Sequence, residues 1–84
     1  MKLDNKAKEL IAVGASVTAN CQPCLQYHSD KALEFGADTE EVATAIEIGK
    51  LVRKGAAAKM DGFAASFKDV PPTPARAKEP VCCG

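Results

Sequence analysis

From Thr39 to Phe67 the chain carries a single apolar seam: Val42, Ile46, Gly49, Arg53, Ala56, Met60, Phe63 and Phe67 recur at alternating steps of four and three. This is the repeat of a helix that packs along one line, interrupted by one arginine. An unbroken helix over that stretch would measure about 44 Å, at about 1.5 Å per residue. A compact chain of 84 residues has a radius of gyration of only about 12 Å. Either the helix breaks near Gly55, or it projects and packs against another subunit. The small residues Gly49, Gly55 to Ala58, Gly62, Ala64 and Ala65 allow close backbone approach in either case, and the expectation is a homo-oligomer.

The segments before the seam are also helical. Asp4 or Asn5 caps a first helix whose stripe is Leu3, Ala7, Leu10, Ile11, Gly14, Val17 and Thr18. Asn20 ends it or caps the next. Pro23 is unfit for a helix interior but suits a first turn, so a second helix starts near Cys21 or Gln22. Its inward stripe is Cys21, Cys24, Leu25, His28, Ala32 and Phe35, and Gly36 is its terminator. Asp38 and Glu41 form a capping box for the long helix, with Ala37 packing onto Val42 as a weak staple.

Beyond Asp69 four prolines fall within the ten positions from Pro71 to Pro80, which excludes helix and discourages sheet. The expected organisation is a helical domain over residues 1–69 and a disordered Pro-rich tail over residues 70–84, ending in Cys82-Cys83-Gly84. At about 3.1 Å per residue the linker reaches over about 30 Å, enough for its thiols to visit the first cysteine pair. The 11 basic and 11 acidic side chains give zero formal charge, which offers nucleic acid and membrane surfaces no attraction. No apolar run approaches the roughly 18 residues of a membrane span, and no signal sequence is visible. A cytoplasmic location is the default expectation.

The cysteines carry the chemistry. Two are three apart and two are adjacent, so they do not suit the interleaved framework of a secreted mini-protein. Cys21, Cys24 and His28, the one histidine of the chain, fall on one helical face. Residues so placed serve thiol redox chemistry or metal binding. The start of the second helix favours a thiolate at Cys21 or Cys24. His28 is placed to accept a proton from Cys24, and the neighbouring thiol closes a disulfide after the first oxidation. If the chain reverses near Asn20, the residue facing His28 lies near Ala12, within a turn of Glu9. Carboxylate, imidazole and thiol then line up as a proton relay.

The pattern of Glu9, eleven residues, Cys21-x-x-Cys24, three residues and His28 resembles the signature of AhpD-like alkylhydroperoxidases in the carboxymuconolactone decarboxylase-like family. The resemblance runs from about Leu3 to Phe67. It implies an all-α fold, a helix hairpin plus a long alanine-rich helix, assembled as trimers or hexamers and needing no cofactor. It also implies that Cys24 attacks the peroxide, that Cys21 resolves it as a disulfide, and that Glu9 and His28 relay protons. A thiol reductant or redox partner protein then restores the dithiol.

One position departs from the signature: Pro23 stands where the peroxidases have a further histidine. Disulfide reduction or thiol transfer tolerates that loss better than peroxide reduction, since it asks only for a reactive pair. Cys82 and Cys83 lie outside the family core and could exchange with the first pair. The alternative from another class is a soft-metal or metalloid site built from Cys21, Cys24, Cys82 and Cys83. A folding zinc is not expected, because the motif lacks a second ligand pair. A third reading is a structural helical oligomer with incidental cysteines.

Overall fold

The computed structural model describes residues 2–67. The tail, with Cys82 and Cys83, lies outside the described residues. Three helices account for the rest: α1 (Asn5–Thr18), α2 (Gln22–Glu34) and α3 (Thr39–Ala65). The fold is all-α, as the periodicity requires.

Each junction is made by a local signal. Asp4 caps α1, its carboxylate accepting the Ala7 N–H at 2.8 Å. At the other end Asn20 takes a left-handed φ of 58°. Its N–H donates to the Val17 carbonyl at 3.1 Å, and the Cys21 N–H donates to the Ser16 carbonyl at 2.9 Å. These two bonds make a Schellman turn, which satisfies the last carbonyls of the helix. Gly36, with φ 101°, closes α2 in the same way. There the Ala37 N–H donates to the Ala32 carbonyl at 2.9 Å, and both alanines are buried. Asp38 and Glu41 then form the reciprocal capping box of α3, with bonds of 2.8 and 3.0 Å.

The chain goes up, down and up again. α2 runs back along α1, and α3 follows α1 in the same direction. Lys6 pairs with Glu41 at 3.2 Å near the start, and Arg53 reaches Val17 and Asn20 at the end. The core between them is built from small side chains: Val13, Ala32, Ala37 and Ala45 are buried, with Leu10, Leu25, Val42 and Ile46 packed around them. α1 and α3 cross glycine on glycine. A Cβ on Gly49 would collide with the Gly14 carbonyl oxygen and come within 2.8 Å of Val17 Cβ. The Thr18 hydroxyl donates to the Gly49 carbonyl across the same crossing at 2.9 Å.

Of the two outcomes set out for the seam, the break near Gly55 does not occur. α3 is continuous for 27 residues while α1 has 14, so beyond Arg53 the long helix overshoots the end of its neighbour. At about 1.5 Å per residue α3 is about 40 Å long, against about 21 Å for α1. Met60 and Phe63, each 63% exposed, lie on this overshoot. The stripes also need correction at four positions: Leu3, placed in the α1 stripe, lies before the Asp4 cap and is 49% exposed, and Ile11, Val13 and Phe35 differ as follows. Ile11 is 59% exposed while Val13 is fully buried, because α1 packs against two helices and its buried arc is centred elsewhere. Phe35, assigned to the inward stripe of α2, lies at its C-cap and stays exposed. No helix among the described residues is long and apolar enough to cross a membrane.

Candidate active site

The site is assembled where α1 hands the chain to α2. Cys21 is at once the second residue past α1's C-cap and the N-cap of α2, with extended backbone (φ −103°, ψ 99°). Its carbonyl accepts the Leu25 N–H at 3.0 Å and starts the helix. Pro23 falls in the first turn, where a missing N–H costs nothing. Cys24 is the third helical residue. Its sulfur is bonded to that of Cys21 in a disulfide, with the two Cα atoms 5.2 Å apart. The bridge therefore sits at the positive end of a helix macrodipole, where a thiolate formed on opening is favoured. Cys21 makes no side-chain capping bond in the bridged state.

His28 follows Cys24 by one turn on the same face. Its Nδ1 lies 2.6 Å from Oε1 of Glu9, on the facing side of α1. Both side chains keep some exposure, 30% for His28 and 21% for Glu9. A carboxylate only accepts, so Nδ1 carries the proton and donates it to Glu9. The remaining ring nitrogen, Nε2, is then the one free to take up or deliver a proton. The antiparallel hairpin brings these two residues together despite the 19 positions between them.

Two features of the surroundings were not singled out from sequence as part of the site. The Tyr27 ring stands edge-on to the His28 imidazole, with centroids 5.0 Å apart, and Lys31 Nζ lies 5.9 Å from the Tyr27 centroid. Tyr27 is exposed on α2, so it flanks the imidazole without burying it. Arg53, which reads in sequence as an interruption of the seam, turns back to the joint. Its Nη1 donates to the Val17 carbonyl at 3.2 Å and to Asn20 Oδ1 at 2.9 Å. A lone cation in an otherwise apolar seam was the available signal.

A cleft of about 260 Å³ opens beside the bridge; Cys21 lines it and Cys24 does not. A larger groove of about 900 Å³ runs between α1 and α3 past Ile11, Ile48 and Val52, and none of the four candidate residues lines it. Among the described residues no three His, Cys, Asp or Glu side chains cluster as a metal site. The proposed second thiol pair, Cys82 and Cys83, lies outside the described residues.

Fold and site together define a class: a small three-helix protein with a disulfide at a helix N-terminus and a carboxylate–imidazole pair one turn away. A model of the carboxymuconolactone decarboxylase family matches residues 1–66. The chain belongs to that family, as the AhpD-like signature had indicated. A crystal structure of a protein from Methanobacterium thermoautotrophicum is similar, with 37% identity and a TM-score of 0.65, over 80% of this chain and 73% of that one. A search of curated proteins returned no match.

Proposed function

We propose that the chain is a thiol-dependent oxidoreductase that cycles Cys21 and Cys24 between dithiol and disulfide. The observation that carries this reading is the bridge at the start of α2 beside a hydrogen-bonded Glu9–His28 pair. Cys24 is the nucleophile, activated by the helix end and by His28. Its thiolate attacks a peroxide oxygen or the sulfur of a disulfide substrate. Cys21 then displaces the product from Cys24 and closes the bridge. Glu9 holds the imidazole through Nδ1, which leaves Nε2 to exchange the proton with Cys24. Disulfide exchange is the better-supported substrate class, because Pro23 removes the extra histidine of the peroxidase signature. A thiol reductant or partner protein reopens the bridge, and the working form is a homo-oligomer. The soft-metal reading takes its further ligands from Cys82 and Cys83, which lie outside the described residues.

The test is stopped-flow oxidation of the reduced protein by a hydroperoxide and, separately, by a small disulfide. Mass spectrometry then identifies the thiols that pair. Wild type is expected to react at least about 100-fold faster than Cys24→Ser, which lacks the attacking sulfur and leaves only Cys21, a thiol without the imidazole one turn on. The Cys21–Cys24 bridge should be the product. Equal, slow rates for the two proteins with both oxidants would defeat the reading.

A further inference from the structure

The cleft beside Cys21 has a composition that the dithiol cycle does not explain. Its floor is apolar, from Leu25 and Ile46, and its rim carries two cations, Lys50 and Arg53, with no acidic side chain among the lining residues. Arg53 is held by the bonds from Nη1 to Val17 and Asn20, the residue before Cys21. Its other N–H groups make no bond among the described residues, so the guanidinium is fixed in place with donors to spare. Such a fork matches a carboxylate. Lys50 has one partner, Glu47, on the exposed face of α3 at 3.3 Å, and Glu47 does not line the cleft. The volume of about 260 Å³ is near the lower limit of small-ligand sites, fit for a short fragment and not for a large cofactor.

We infer that this cleft is the entry site of the reducing substrate, and that it takes a small thiol carrying a carboxylate a few bonds from its sulfur. The inference rests on the dithiol reading above and names its reductant class. The carboxylate meets Arg53 and Lys50, the methylenes lie on Leu25 and Ile46, and the sulfur faces Cys21. The substrate thiolate attacks Cys21 Sγ. A mixed disulfide forms there as the Cys21–Cys24 bond breaks, and the electron pair leaves on Cys24, which is protonated through His28. A second thiolate of the same kind attacks the substrate sulfur, forming the substrate's own disulfide and releasing Cys21 as thiolate. Two thiols are oxidised, the bridge is reduced by two electrons, and the two protons of the thiols end on Cys21 and Cys24. Entry at Cys21 frees Cys24, the residue assigned as nucleophile.

The test measures how fast the bridge of the full-length oxidised protein is opened by mercaptopropionate, mercaptoethanol and cysteamine, which differ in charge. Rates are expressed per thiolate, and each is divided by the same thiol's rate with a small model disulfide, because a thiolate's intrinsic nucleophilicity still rises with its pKa. After that correction mercaptopropionate is expected to exceed cysteamine by about tenfold at low salt, since each exposed ion pair contributes up to about fivefold and the factors for two cations multiply to at most about 25-fold. The ratio should shrink as salt is added. It should fall at least about threefold in Lys50→Gln and further in Lys50→Glu, which changes only an exposed side chain; Arg53→Lys tests the fork while keeping the charge. A ratio that is the same in wild type and in all three variants would overturn the subsite alone. Failure of every thiol to open the bridge would overturn the dithiol reading, and the subsite with it.

Discussion

At the scale of single residues, the site depends on which atom of each side chain is engaged. His28 gives Nδ1 to Glu9, and this bond fixes both the tautomer and the plane of the ring. Glu9→Gln keeps an acceptor but loses the charge that steadies the imidazolium formed in proton transfer. It is expected to slow disulfide exchange about tenfold with little change in fold, and His28→Gln about 100-fold, as general acid–base groups commonly contribute. Exchange rates measured beside far-UV circular dichroism check this; unchanged rates in both variants would remove the relay. Much of this site was legible in the sequence, because CxxC, the histidine at +4 and a glutamate on a facing helix are local patterns plus one chain reversal. Arg53 was not. Its partners are a carbonyl and an amide at the far end of another helix, and no spacing rule along α3 points to them.

At the scale of the helices, the junctions were readable because caps are short-range chemistry: Asp4, Pro23, Gly36, Asp38 and Glu41 each act within about one turn. What periodicity alone cannot fix is the centre of a buried arc. Val13 is buried and Ile11 exposed because α1 serves two neighbours whose directions are set by tertiary packing. The persistence of α3 through Gly55 has a simple energetic reason. A helical glycine costs about 1 kcal/mol relative to alanine, and the following run of alanines offsets it. Two glycines of α3 should therefore answer oppositely to one change. Gly49→Ala forces a methyl onto the Gly14 carbonyl and is expected to destabilise by about 1–3 kcal/mol. Gly55→Ala meets nothing within 4 Å and is expected to stabilise by about 1 kcal/mol. Urea unfolding at a fixed protein concentration reads both; a shift of the same sign would contradict the crossing described here.

At the scale of the whole molecule, the overshoot of α3 is the dominant fact. Beyond Arg53 it carries Met60 and Phe63, with Phe67 just past its C-cap, all exposed, and the Phe63 and Phe67 rings are 5.2 Å apart. Gly55 and Gly62 face open space. An apolar helix surface of this extent needs a cover, and a second copy of the chain is the cover we propose. Phe63→Glu together with Met60→Glu should convert the oligomer to monomer in light scattering behind gel filtration. A wild type that runs as a monomer at micromolar concentration would refute the assembly. The turn at Asn20 has a different kind of consequence. With only Ala19 and Asn20 between the last residue of α1 and the N-cap of α2, the joint works as a counting device. One residue inserted there would break the two bonds of the Schellman turn, from Asn20 to Val17 and from Cys21 to Ser16, and α2 would enter at a new angle, so the imidazole would leave the carboxylate although no side chain had changed. Glycine at position 20 would keep the left-handed turn but release Arg53, whose Nη1 bonds Asn20 Oδ1, so the joint is set by its length and by this one amide together.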